Sequence, residues 1–467
     1  MAEPSKTVAN PQTEGGGEAE PLYGLTTGVV RATRQALVAG DATRVRRLVR
    51  PLHYSDQADL IERFNPGLRR RFVDAMRGQL DAVVLTELDE AVREEVVQQL
   101  GAAATAAAVS ELDSDDAVHV LEDLDEEVQQ QVLEALPAED RALVEENLSY
   151  PEDSAGRLMQ RELVAIPAFW TVGETIDHLR ESTDLPDDFY DIIVVDPKHQ
   201  PVGTIPLNRI MRTRRPVRVR QIMAVKMFPI PATTDQEEVA RLFRQHNLVS
   251  APVVDEGGRL VGIIMVDDVV DVIHEEAEED LMLLAGVGEA DVYHALIDTA
   301  RSRFSWLAVN LVTAIFASIV IGLFESTIKE IVALAVLMPI VASMGGNAGT
   351  QTLTVAVRAL AMRELSRQNA WRFVFKELFV GGINGILFAV LAGFCAGFWF
   401  QSVPLGGVIA GAMVVNLIVA GLSGTLIPLG LERLGVDPAI ASSVFLTTVT
   451  DVIGFLAFLG LATLFLV

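Results

Sequence analysis

The chain predicts a multidomain protein: an all-α superhelical N domain, a pair of α/β modules, a long acidic connecting helix, and an α-helical membrane domain with five transmembrane helices. Three observations carry that class. Apolar residues recur every twelve positions early in the chain, a strand-turn-strand pattern returns once 59 residues later, and apolar segments long enough to cross about 30 Å of hydrocarbon follow Arg303. Half of the 467 residues are hydrophobic while the net charge is -26, nearly all of it before Arg303. A single averaged domain would hardly combine the two. The expected divisions are a disordered tail over 1–25, the N domain over 26–150, two modules over 151–223 and 224–275, a connector over 276–303 and a membrane domain over 304–467.

The tail is rich in Gly, Glu, Pro and Thr and lacks the apolar core of a secretory signal. The twelve-residue beat then runs through Leu52, Phe64, Met76, Leu88, Leu100, Leu112, Leu124, Leu136 and Leu148, with helix formers between. Asn65-Pro66, Asp113-Ser114 and Pro137-Ala138 supply caps and turns on the same beat. That describes a small solenoid of short helices, with a plain bundle as the alternative. After Ser149, Val194-Val195-Asp196 and Val202-Gly203 return as Val253-Val254-Asp255 and Val261-Gly262, each copy preceded by a Thr-led helix, Thr171 to Leu179 and Thr234 to Leu242. The paired units resemble CBS modules, which implies an adenine nucleotide held by a Ser/Thr and an Asp after the module's Gly. Pro206 and Arg209 occupy those places in the first copy, and Met265 replaces the hydroxyl in the second. Asp268 is left as a weak ATP candidate.

From Leu260 to Ala300 there is no Lys or Arg, while Asp267, Asp268, Asp271, Glu275, Glu276, Glu278, Glu279, Asp280, Glu289, Asp291 and Asp298 are acidic. Such a run is often only a solvated helix face. Here Asp268, Asp271 and Glu275 or Glu276 fall close to one helical face. Packing that face against Asp115 and Asp116 of the solenoid would be opposed by about 4 kcal/mol per pair at about 4 Å and an effective dielectric near 20 unless cations intervene. Oxygen donors suit Mg2+ or Ca2+. The acidity argues against nucleic acid as a partner.

The spans are expected at 305–324, 331–357, 378–400, 406–431 and 439–466. Arg301 and Arg303 before the first, and Arg358, Arg363, Arg367, Arg372 and Lys376 between the second and third, place those flanks and the large N-terminal half in the cytoplasm. Cys395 is the single cysteine, so disulfides within one chain are excluded. The second span carries Pro339 and Gly345-Gly346-Asn347-Ala348-Gly349-Thr350-Gln351, a run that breaks or thins the helix beside a watery cavity or lets helices pack closely. Asn347 and Thr350 add neutral oxygens. Asp451 is the only charge between Pro438 and Val467. A carboxylate at that depth costs a few kcal/mol, about 3 on insertion scales, unless it meets water, an ion or a partner; helix-to-helix hydrogen bonding is its other reading. Thr447 and Ser443 lie one and two turns before it on its face.

At these residues the chain resembles the MgtE family of magnesium channels. Ser149-Tyr150-Pro151-Glu152-Asp153-Ser154-Ala155-Gly156-Arg157-Leu158-Met159 is similar to the junction of that family's N domain with its CBS pair, the Gly345–Gln351 run to its second helix, and Asp437-Pro438-Ala439 with Thr447 to Val452 to its fifth. The resemblance implies a homodimer in the lipid bilayer of the cytoplasmic membrane, a pore on the dimer axis, and Asp451 of each subunit holding a largely hydrated Mg2+. It implies closure by cytosolic Mg2+ at Asp115, at Glu237, Asp268, Asp271 and Glu276 of the second module, at Glu279 and Asp280 of the connector (the plug helix), and at Asp437 at the pore mouth. His119 and Asn247 stand where carboxylates are expected, which implies a sensor needing more Mg2+ to close. A proton- or sodium-coupled transporter of Mg2+, Co2+ or Mn2+ is the alternative. An intramembrane aspartyl protease is not, because Asp437 and Asp451 lie about 21 Å apart along a helix.

Overall fold

The computed structural model describes residues 24–182, 185–186, 188–287, 296–365 and 369–467, which form two compact units, Met1–Val269 and Val270–Val467. Nearly all of the expected tail, Glu289, Asp291 and Arg367 lie outside the described residues, as does the side chain of Asp298.

The first unit opens with helices α1 (Thr27–Ala39), α2 (Ala42–Val49), α3 (Tyr54–Glu62), α4 (Pro66–Met76), α5 (Glu90–Leu100), α6 (Ala102–Val109), α7 (Ser114–Glu122), α8 (Glu126–Ala135) and α9 (Ala138–Leu148). From α2 onward each begins twelve residues after the last, except that the beat at 78 is filled by Gly78, with a left-handed φ of 71°, and by a 3-10 turn at Ala82–Leu85 capped by Asp81. Eight to eleven helical residues plus a short turn make up twelve, so the periodic apolar residue always falls at a helix end or turn. Phe64, Met76, Leu88, Leu124 and Leu136 are buried in one core, and Leu52, Leu100, Leu112 and Leu148 pack against it. Each such burial contributes about 1.5–3 kcal/mol before entropy is counted. At α4 the Leu68 amide donates to Asn65 Oδ1 at 3.0 Å, the cap read from the sequence.

The two modules follow: α10 (Ala155–Leu158), β1 (Ala165–Pro167), α11 (Val172–Glu181), β2 (Asp191–Val195), β3 (Pro201–Pro206), α12 (Leu207–Arg212) and α13 (Val219–Ile222), then β4 (Ile230–Pro231), α14 (Gln236–His246), β5 (Ser250–Val254) and β6 (Leu260–Met265). Their sheets run β1-β2-β3 and β4-β5-β6, the first pair of each parallel and the second antiparallel. Val194 opposes Gly203 and Val253 opposes Gly262, and both ladders slip register immediately afterwards. Each glycine is required by a crossing chain: a Cβ at Gly203 would stand 2.9 Å from the Ala224 carbonyl oxygen, and one at Gly262 2.9 Å from that of Gln160. Ser250 Oγ donates to Asp191 Oδ2 at 2.8 Å, so residues 59 apart in the chain meet across the pair. Thr171 caps α11 in a full capping box with Glu174. In the second copy the cap is Asp235 rather than Thr234, because the Glu237 amide donates to Asp235 Oδ1 at 2.9 Å.

The acidic helix expected over 276–303 begins earlier. Helix α15 (Val266–Ala285) continues directly from β6 and ends at Gly286, whose φ of 69° is left-handed. The second unit then holds α16 (Leu296–Leu323), α17 (Glu325–Glu330), α18 (Ala333–Ala361), α19 (Ala370–Trp399), α20 (Val403–Arg433) and α21 (Pro438–Phe465). Five of these are long and apolar enough to cross a membrane. Helix α20 is central: 56% of its most apolar stretch is buried against neighbours, compared with 6% for the first span. Of the two readings of the glycine run in the second span, close packing holds. Helix α18 runs unbroken through Pro339, Gly345, Gly346 and Gly349, because the glycines serve close packing instead: a Cβ at Gly349 would stand 2.8 Å from Leu446 Cδ1.

Candidate ion path and acidic sensor sites

Helix α21 carries Ser443, Thr447 and Asp451 at successive spacings of four, which keeps them on one stripe. Thr447 is exposed and Asp451 half-buried. Thr447 Oγ1 donates to the Ser443 and Val444 carbonyls, both at 3.1 Å, so its oxygen keeps lone pairs for an outside donor such as an ion's water shell. Asp451 has no hydrogen-bond or ion-pair partner among the described residues. On α18, Asn347 and Thr350 are exposed, and Thr350 Oγ1 donates to the Gly346 carbonyl at 2.9 Å. Helix α18 thus exposes Asn347 and Thr350 while burying Gly345 and Gly349, and α21 exposes Thr447 while burying Gly454. The arrangement offers one full negative charge and several neutral oxygens per chain.

A second intramembrane carboxylate escaped the sequence reading. Glu377 was left just outside a span drawn from 378, but α19 begins at Ala370 and buries it to 8% exposure. Glu377 Oε2 accepts from Thr352 Oγ1 at 3.3 Å, Oε1 lies 3.8 Å from Lys376 Nζ, and the carboxylate lines a cavity of about 180 Å3 with Gln351, Thr352 and Asn384. The signal available in sequence was Glu377 next to Gly381 and Gly385, the spacing of a closely packed helix face. Asn416 on α20, fully buried, was missed as well.

Among the described residues no group of three His, Cys, Asp or Glu side chains is close enough to share an ion. Asp115 is held well above the usual carboxylate range by its burial first, then by Asp268 and Asp116. Asp116 is pushed up to about 6 by burial, with Asp113, Glu87 and Asp267 adding to it and His119 opposing. Asp280 is raised by burial and then by Asp437. Asp437 itself caps α21, with Oδ1 accepting from the Ala439 amide at 2.7 Å. Glu237 lies exposed at the start of α14, and Asp271 and Glu279 are exposed and Glu276 half-buried on α15. Asp116 and Asp267 are therefore sensor candidates that the sequence reading named without assigning. Repelling pairs of this kind suit Mg2+, which keeps most of its waters and takes one or two carboxylates at a time.

His119 is occupied by structure. Its Nε2 lies 2.8 Å from Arg93 Nη2 and its Nδ1 3.6 Å from Glu122 Oε1, within a network that Arg157 completes at 3.1 Å from Glu122. Asn247 is the left-handed C-cap of α14, at φ 51°, and lines a cavity of about 780 Å3 between the two modules. Lys226 and Asp191 are that cavity's charged lining residues. Asp268, the ATP candidate read from the sequence, does not line it; its charge is felt by Asp115 instead.

The chain matches the MgtE family of divalent cation transporters over residues 338–461, the MgtE intracellular N domain over 52–153, and the CBS domain over 219–275. It is 32% identical over 426 residues to the magnesium transporter MgtE of Bacillus subtilis, covering 90% of this chain and 94% of that one. Identity to the magnesium transporter MgtE of Thermus thermophilus is 34% over 453 residues, or 93% and 97% of the two chains. The crystal structure of the cytosolic domain of the Mg2+ channel MgtE in complex with ATP aligns at 33% identity over 52% of this chain and 99% of that one, with a TM-score of 0.49. Sequence, domain order and membrane helices agree: this chain belongs to the MgtE family.

Proposed function

We propose that the protein takes up Mg2+ across the cytoplasmic membrane as a homodimeric channel, with Asp451 of two chains facing one hydrated ion. The observation that carries this is Asp451, without a hydrogen-bond or ion-pair partner among the described residues, on a stripe with Thr447 and Ser443. A lone carboxylate in hydrocarbon is tolerated when it faces water or an ion, and a second copy doubles the charge available to a divalent one. Cytosolic Mg2+ closes the path by binding between Asp115 and Asp268, between Asp116 and Asp267, and between Asp280 and Asp437, where it turns repulsion into bridging. Glu237 offers a further carboxylate in the first unit, and Asp271, Glu276 and Glu279 do so in the second. The cavity between the modules is the place for ATP, within the ordinary size of ligand pockets, about 300–1,000 Å3. A single Lys226 facing a triphosphate makes such binding weak. The protein is a transport protein, not an enzyme.

The test is Mg2+ flux into liposomes holding wild type or Asp451→Asn. Loss of flux with dimer and fold intact is expected, and wild-type flux in the variant would remove the ion path from Asp451. One observation favours coupled transport as the second reading: Glu377 is a second carboxylate buried among the membrane helices, where carboxylates mark ion and proton pathways. Flux that collapses with the proton gradient, and becomes gradient-independent in Glu377→Gln, would establish that reading in place of the channel.

A further inference from the structure

We infer that Asn416 is the positioning residue that sets the spacing of the two helices carrying the ion path, and through it the choice between Mg2+ and larger divalent cations. Asn416 is completely buried on α20, a helix that contributes none of the ion-facing residues above. Its Nδ2 donates to the Val341 carbonyl of α18 at 2.7 Å. A Cβ at Gly454 of α21 would stand 2.8 Å from the same nitrogen, and one at Gly345 of α18 would fall on it. One carboxamide is thus clasped by two helices, each of which has given up a side chain to hold it.

The clasp sits beside the ion-facing residues. Gly345 precedes Asn347 by two residues, and Gly454 follows Asp451 by three. Asn416 Oδ1 has no hydrogen-bond partner among the described residues, and a buried acceptor left so is destabilising. A leucine has a similar branched shape and would fill the slot without that cost, so packing alone does not account for an amide here. What the amide adds is a directional bond that fixes α18 along and across α20, with Gly454 of α21 packed against the same amide. Mg2+ demands near-ideal geometry and keeps its waters, whereas Ca2+ accepts variable geometry and more ligands. A small change in the separation of Asp451 from the Asn347 stripe therefore favours the larger ion.

This inference rests on Asp451 lining the path, so its test carries that control. Full-length protein in liposomes is assayed for Mg2+ and Ca2+ flux on the same preparation, which makes the ratio independent of yield. Asn416→Leu is expected to elute as wild type and to raise the Ca2+-to-Mg2+ flux ratio by about tenfold, within the scale on which small misplacements of a site act. Gly454→Ala, which presses on the same amide from the Asp451 helix, is expected to raise it in the same direction and decides the matter should the leucine variant fail to fold. A wild-type ratio in a folded variant overturns the inference. Wild-type flux in Asp451→Asn defeats the ion-path reading, whereas lost flux there with an unchanged ratio in Asn416→Leu defeats this inference alone.

Discussion

The carboxylates of the soluble half and the carboxylate of the last membrane helix solve opposite problems. Asp115, Asp116 and Asp280 each have another carboxylate nearby, and burial plus that neighbour raises them. Asp451 stands alone among the described residues. A pair of like charges resists closing until a cation enters, which suits a sensor; in the proposed function a single charge on a helix stripe is completed by an ion and a second copy, which suits a conduit. Other acidic residues of the same soluble half show the contrast from within. Asp123 meets Arg93 at 2.7 Å and Glu122 meets Arg157 at 3.1 Å, so those charges are spent on structure.

The largest effect that would break this contrast concerns Asp115 and Asp268. Replacing both by Asn removes a buried repulsion, so in the absence of divalent cations the full-length protein should gain about 1–3 kcal/mol of stability, the usual size of a relieved buried polar penalty. Thermal unfolding in EDTA and in excess Mg2+ measures it. The wild type should be stabilised by Mg2+ and the double variant much less; equal stabilisation would mean the ion binds elsewhere.

A second, smaller effect is set by pH. Asp116 has a folded-state value of about 6 against 3.8 for a free carboxyl. Between those values the folded state binds more protons than the unfolded one, so without cations this group favours the fold as pH falls and disfavours it as pH rises through about 6. Mg2+ must displace that proton. The Mg2+ needed for half-protection of the soluble half from protease should therefore rise by several-fold, about one decade per pH unit for one proton exchanged, as pH drops below about 6. A pH-independent midpoint would remove Asp116 from the sensor.

The smallest effect concerns His119. Its ring braces Arg93 and Glu122, so His119→Asp keeps a partner for Arg93 and adds a carboxylate near Asp116. The Mg2+ midpoint of protection should fall by about two- to tenfold, the size of a coupling of about 0.5–1.4 kcal/mol. An unchanged midpoint would show that the histidine does not weaken the sensor.

How much of this was readable in the chain follows the range of the forces involved. The solenoid was legible because its beat is local: twelve residues hold a short helix and its turn, and each periodic side chain is used at a turn. The module pair was legible because strand alternation repeats, and the 59-residue offset reappears in the ladders down to the register slip beside Gly203 and Gly262. The glycine run of α18 reads equally as a break or as a packing face, and it is a packing face. Its use is set by Leu446 and Asn416, far away in sequence, and no local rule distinguishes a glycine that ends a helix from one that admits a neighbour. Glu377 falls one residue before the expected span, because helices extend beyond the hydrocarbon while the apolar run does not. Among the acidic residues the composition showed that repulsion must be relieved, but which carboxylates face each other is a fact of packing.

The most direct test of the division between conduit and sensor is one flux experiment on three proteins: wild type, Asp451→Asn, and Asp115→Asn with Asp268→Asn, reconstituted into liposomes and assayed at low and at high Mg2+ on the cytosolic side. Asp451→Asn is expected to show no flux at either concentration, and the Asp115/Asp268 double variant full flux at both, where the wild type is expected to close at the higher. Flux through Asp451→Asn, or normal closure of the double variant, would contradict it.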